Sequence, residues 1–366
     1  VGPPSFLDSV VRAVKKLTLS WASSPPTSFR CYPETLRVFM ILMCLPPPPA
    51  QLDPGTRILL CQSMECTVGA IMALPQKHRA LLERWMTDLS LSQRRCMVAS
   101  LNALLSWQYA EAGCSVPVLH TCTLLDMLWR INTTHSSRLP ISAFYNEDIN
   151  TTMNARAEYL QWLEYQAASA KNIILFKSII QFPFLLNAAV KERILCQYSL
   201  DQMRRVLWPF VMTCVLTIDR AHIVRDTLRQ VTQLRPRLHM PIEVKFVGEE
   251  AQDEGGVSKE FFSLFVCEIL NPDFALFVLC PDTNNYWFNP SYLEDQLDLY
   301  ELVGVIIAMA VYNSVILNVN FPVSVWKALL GMPPALEDLL DIDPTLYMGL
   351  QELLGYEGNV ENRFGL

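Results

Sequence analysis

The chain has 366 residues, 51% of them hydrophobic and 18% charged, which suits a globular chain of two or three domains and excludes wholesale disorder. Its net charge of −7 hides a split: residues 1–239 carry 25 Lys and Arg against 16 Asp and Glu, and residues 240–366 carry 4 against 20. The asymmetry points to two differently used regions, while the scattered basic residues lack the aromatic-interleaved stripe that a nucleic-acid partner would need.

Residues 1–21 read as the end of a helix, "SSPPTSFRCYPE" as a loop, and "TLRVFMILMCL" as a buried helix closed by Pro46 to Pro49. With Val1 first, no leader, and "ENRFGL" last, an internal fragment is expected. From Gln62 to about Leu216, apolar residues recur at helical spacing between breakers at Pro75, Gly113, Pro117, Pro140 and Pro183, predicting a stack of helices without a clean repeat. "DRAHIVRDTLRQVTQL" predicts an amphipathic helix capped at Asp219, with Val224, Leu228 and Val231 on one face and solvated Arg225 and Arg229 on another.

Next, "IEVKFVG" alternates Ile242, Val244 and Phe246 with Glu243 and Lys245, the period of a half-buried strand. Gly255-Gly256 supplies positive-φ backbone for a strand-to-helix turn. Val257, Phe261, Phe265 and Ile269 then recur every fourth residue on one helix face, and Asn271-Pro272 ends that helix. "FALFVLCPDTNNYWFNP" reads as a hairpin around Asp282–Asn285, followed by a long apolar helix from about Tyr300. Leu302 to Trp326 holds no charge, but Tyr312, Asn313, Ser314, Asn318, Asn320 and Pro322 interrupt it, so a core helix is expected and no membrane span.

Eleven cysteines from Cys31 to Cys280 form no repeated spacing, which suits reduced thiols and a cytoplasmic chain. The sequons at Asn132 and Asn150 are then read as chance matches. Gly-Gly-Val-Ser-Lys lacks the Gly-Lys-Ser/Thr order of a phosphate loop. Cys61-x4-Cys66 and Cys114-x5-His120-x-Cys122 lack the paired spacing that closes a zinc tetrahedron, so no metal is expected. Nothing assembles a hydrolase or metalloprotease site.

"PIEVKFVGEEAQDEGGVSKEFF" resembles the entry to the catalytic domain of HECT-type ubiquitin ligases. The resemblance takes in "RAHIVRDTLRQ" upstream and "NPDFALF", "YWFNP", "LVGVIIAMAVYNSVILNVNFP" and "GLQELLGYEGNVE" downstream. "PETLRVFMIL" and "EYLQWLEYQ" are similar to the segment before that domain in small HERC-type ligases. The resemblance implies a predominantly helical α+β fold. A helical region over 1–218 would precede an incomplete HECT N-terminal lobe over 219–366, with short strands and a hairpin.

It further implies a ubiquitin-conjugating enzyme, ubiquitin and a protein substrate as partners, no cofactor, and transfer through a cysteine on a C-terminal lobe. The docking groove of the family maps onto Leu346, Leu350, Leu353, Tyr356 and Phe364. The turn motif, Gly255, Gly256, Lys259, Glu260 and Phe261, is architectural by this reading, with Lys259 and Glu260 solvated. Glu254 stands where members that bind a second ubiquitin tend to carry an aromatic. "VLHTCTLL" resembles the signature around the family's nucleophile, yet Cys122 lies upstream of the lobe and no Leu-Pro strand follows, so none of the cysteines is assigned as catalytic. A non-catalytic interaction scaffold or a truncated inhibitory form is the competing expectation.

Overall fold

The computed structural model describes residues 16, 40–41, 43–44, 54–135, 137–169, 178–207, 213–250, 253–291 and 296–358. Most of the reading of residues 1–53 lies outside them, although Met40, Ile41 and Met43 are helical and Met43 is fully buried. The chain divides into two compact units, Val1–Gln197 and Tyr198–Leu366. The fold is predominantly helical with a few short strands, as the sequence predicts.

The first unit is helical throughout its described residues: α1 (Pro54–Met72), α2 (Gln76–Thr87), α3 (Leu91–Ala112), α4 (Val116–Thr134), α5 (Glu147–Thr152), α6 (Ala155–Ser169) and the start of α7 (Ala188–Leu207). Ser90 opens α3 with a reciprocal cap: its hydroxyl accepts from the Gln93 amide while the Gln93 side chain accepts from the Ser90 amide. Pro117 sits in the first turn of α4, where a missing N–H costs nothing, so it starts this helix rather than breaking one. Met97, Leu101, Leu104 and Leu105 of α3 share a core with Val118, Cys122, Leu125 and Leu128 of α4. Trp129 stacks on Phe184 at 5.8 Å and meets Phe144 edge-on at 5.2 Å, fixing the irregular segments between α4 and α7.

Among the described residues, the strands fall in the second unit. β1 (Cys214–Ile218) pairs in parallel with β2 (Ile242–Phe246), with Leu216 opposite Val244 and Ile218 opposite Phe246. A parallel pair needs a crossover, which α8 (Ile223–Leu234) supplies. Helical spacing alone carries the preceding run through Leu216 and misses β1. Val215 and Thr217 face outward between buried Cys214, Leu216 and Ile218, so an apolar Val on the outer face blurs the alternation, and pairing with β2 decides the conformation. These residues lie on the near side of the 218/219 boundary expected from sequence, yet belong with the second unit.

After β2 comes α9 (Gly256–Ile269), then the antiparallel hairpin β3 (Phe277–Cys280) and β4 (Asn285–Phe288), then α10 (Leu297–Tyr312). Phe261, Phe262 and Phe265 are fully buried with Val244, Leu276, Leu302 and Ile306. The apolar run ends its helix at Tyr312, where the Asn313 side chain donates to the Met309 carbonyl, and α11 (Val323–Leu329) begins only after Pro322. Among the described residues no single helix is long and apolar enough to cross a membrane. α1 and α2 reach that length and composition only as a pair bent by 119°.

Candidate functional site

The turn between β2 and α9 is built around a residue that the sequence pattern does not single out. Gly255 adopts φ +93°, the left-handed region that favours glycine, and a Cβ there would meet no atom within 4 Å, so the requirement is one of conformation and not of space. Gly256 is already the first helical residue, so only one glycine of the pair carries the special backbone. Asp253 holds the turn: one oxygen accepts from the amides of Gly255 (2.9 Å) and Ser258 (3.2 Å), the other from the Val244 amide on β2 (2.9 Å) and from the Ser258 hydroxyl. Burial alone would raise its pKa, but the Ser258 hydroxyl and these amides outweigh it and hold the carboxyl below its usual range.

Phe261 is buried as its spacing predicts, and Lys259 is exposed. Glu260 is exposed too, and there it accepts from Arg220 at 2.8 Å. The same guanidinium binds both oxygens of Glu249 and lies 3.8 Å over the Phe246 ring. Hydrogen bonds from Arg220 hold Glu249 below the ordinary carboxylate range. Arg220, in the turn after β1, thus ties together the loop after β2 and the first turns of α9.

A second feature lies at the other end of this unit. After α10 the chain runs through Phe321, which meets Phe277 of β3 at 5.4 Å, into α11, a 3-10 segment (Leu336–Asp341) and α12 (Pro344–Leu354). Two ties fix this segment. Lys327 of α11 donates to both oxygens of Asp338 at 2.6 and 2.8 Å, and Asp338 accepts from the Ala335 amide. Burial would raise Asp338's pKa, but Lys327 and that amide hold it down. Thr283 and Asn285 of the hairpin both donate to the Asp341 carbonyl at 2.9 Å. Asp343 then caps α12 by accepting from the Leu346 amide, with Pro344 in the first turn.

No residue of α12 is buried. Leu346 is 49% exposed, Met348 64% and Leu354 72%, while Leu350 and Leu353 are half-buried and Tyr356 is exposed. Leu346, Leu350 and Leu353 therefore share a helix face that the rest of the described unit covers only in part. Leu329 and Leu330 at the end of α11 are exposed too, at 73% and 75%. Phe364 lies outside the described residues. Contiguous exposed apolar side chains are a feature that interaction surfaces share.

Elsewhere, burial sets aside the cysteine whose surroundings resemble the family's signature. Cys122 is fully buried in α4 and burial pushes its thiol well up. Cys114 is pushed up to about 12, first by burial and then by the Glu158 carboxylate. Of the described cysteines only Cys267 is exposed. Both sequon asparagines are buried: Asn132 exchanges hydrogen bonds with the Leu139 amide and carbonyl, and Asn150 donates to the Leu185 carbonyl. Among the described residues no group of three His, Cys, Asp or Glu side chains is placed to hold a metal ion.

Residues 263–366, from within α9 through α12, match the sequence model of the family described as HECT-domain (ubiquitin-transferase). The chain is thus similar to HECT-type ubiquitin-protein ligases. The similarity extends beyond the HECT match in several relatives. It is 28% identical over 390 residues to human HERC3, a probable E3 ubiquitin-protein ligase, covering 99% of this chain and 36% of that one. Mouse HECTD2, of the same description, is 30% identical over 400 residues, covering 99% of this chain and 49% of that one. Probable E3 ubiquitin-protein ligase mug30 of Schizosaccharomyces pombe is 34% identical over 204 residues, 51% of this chain and 24% of that one. The chain thus spans between about a quarter and a half of these HECT relatives, and the similarity to HERC3 agrees with the HERC-like group suggested by its helical segment.

Proposed function

We propose that this chain is part of a HECT-type ubiquitin-protein ligase, and that residues 219–366, with β1 ahead of them, supply the scaffold and part of the groove on which a ubiquitin-conjugating enzyme docks. The observation that carries this reading is the partly open apolar face of α12, with Leu346, Leu350, Leu353 and Tyr356, held to the hairpin by the Asp341 carbonyl. Such a face reads a partner's loop through a few apolar anchors rather than through total area. The conjugating enzyme would hand its ubiquitin to a cysteine of the ligase, forming one thioester as another breaks, and the new thioester would acylate a lysine of the protein substrate. The turn motif has no part in this chemistry; it positions α9 under the strands.

Leu350→Glu should abolish binding of a conjugating enzyme, because it places a charge in an apolar contact. Unchanged affinity in a titration would remove α12 from the docking site. We also propose that none of the described cysteines is the acceptor. The chain mixed with activating enzyme, conjugating enzyme, ATP and ubiquitin should show no reductant-sensitive ubiquitin adduct of this chain itself, beside the thioesters of the two enzymes. A thioester mapped to Cys122 would refute this. A cytoplasmic location is proposed with it, supported by described cysteines that are all free thiols and by sequons buried in the first unit.

A further inference from the structure

The docking segment is not only apolar. Between Pro322 and Gly358 the sequence places six acids, Glu337, Asp338, Asp341, Asp343, Glu352 and Glu357, against one cation, Lys327. That cation is already bound to both oxygens of Asp338, which leaves the segment that carries these leucines with a negative excess. Glu337, Asp343 and Glu357 are exposed, and Asp282 at the exposed hairpin tip lies beside the two residues that bind the Asp341 carbonyl.

We propose, resting on the docking reading above, that this face discriminates among conjugating enzymes by charge and favours those whose docking loops carry apolar tips set in a rim of lysine and arginine. The physical division of labour follows. Half-buried Leu350 and Leu353 provide contacts that hold a bound loop, and so govern dissociation. The acids around them stay hydrated and act at a distance, so they govern the approach of a charged partner. Such steering raises association rates by about tenfold to a thousandfold at low salt and fades as the Debye length shrinks to about 8 Å at physiological ionic strength.

The test compares the full chain with two variants, one carrying Asp282→Lys, Glu337→Lys and Glu357→Lys and the other carrying Leu350→Glu. Each is titrated by stopped flow or surface plasmon resonance against purified conjugating enzymes with basic, neutral and acidic docking loops, from low to high salt. For the basic-loop enzymes the triple variant should associate about tenfold more slowly at low salt, lose the salt dependence of the rate, and dissociate as before. An unchanged association rate and salt dependence, with Leu350→Glu still abolishing binding, would leave docking in place and overturn selection by charge. If Leu350→Glu binds like the parent chain, or no conjugating enzyme binds the parent chain, the docking reading falls and this inference falls with it. All three substituted acids are exposed, so circular dichroism of the triple variant should match the parent.

Discussion

Two helices of the second unit, α9 and α12, start from similar sequence logic and end in opposite states. Each begins at a turn held by an aspartate, Asp253 for α9 and Asp343 for α12, and each carries apolar residues at three- and four-residue spacing. α9 buries Phe261, Phe262, Phe265 and Ile269, while α12 buries nothing. The difference lies in what surrounds them: α9 packs against β2, α8 and α10, whereas α12 packs mainly on the 3-10 segment, which the hairpin in turn holds at the Asp341 carbonyl. Periodicity marks a face that wants company. It does not say whether the company comes from the same fold or from a partner.

The comparison breaks most sharply on stability. Phe265→Ala should cost about 3–5 kcal/mol, the range for deleting a fully buried aromatic, measured by urea unfolding of the second unit's transition. Leu350→Ala on α12 should cost less than this, because its side chain is only partly buried. Equal costs at the two sites would mean that α12 belongs to the core.

Next in size is Asp253→Asn. The carboxylate accepts four hydrogen bonds, and replacing a charged acceptor of this kind costs about 1.5–3 kcal/mol. Its folded pKa is depressed, so its contribution is present above the unfolded value near about 3.9 and is lost as pH falls through the lower folded value. The parent chain should therefore lose stability on acidification below about pH 4 more steeply than Asp253→Asn does. Parallel acid limbs would show that Asp253 is not held in its charged form. Smallest of all should be Arg220→Ala, whose ion pairs are about half exposed: a modest fall in melting temperature at low salt that shrinks as salt is added. A salt-independent fall would point to its stacking on Phe246 as the main contribution.

Much of this fold is legible from residue patterns. The alternation in Ile242–Phe246, the four-residue spacing from Val257 to Ile269 and the turn chemistry of Asp282–Asn285 each express a local preference that packing reinforces. β1 is not legible in the same way, since Cys214–Ile218 becomes a strand through a partner that follows only after α8. Likewise the roles of Asp253 and Arg220 arise from groups that meet across elements. Arg220 and Glu260 are forty residues apart, and no spacing rule joins them. For α12 the sequence shows the apolar face, while its incomplete cover within the described unit is visible only once the neighbours are in place.

The parallel pairing of β1 with β2 also dictates where this polypeptide tolerates being cut. A shorter protein begun at Asp219, where the capped helix makes a natural-looking start, would discard Cys214–Ile218. β2 would then keep Asp253 along one side of Val244 and face water with a bare peptide edge on the other. Such an edge invites strand exchange between molecules, so a truncation there should trade a monodisperse preparation for a sticky one, and expression boundaries drawn a few residues upstream of Thr213 should avoid this.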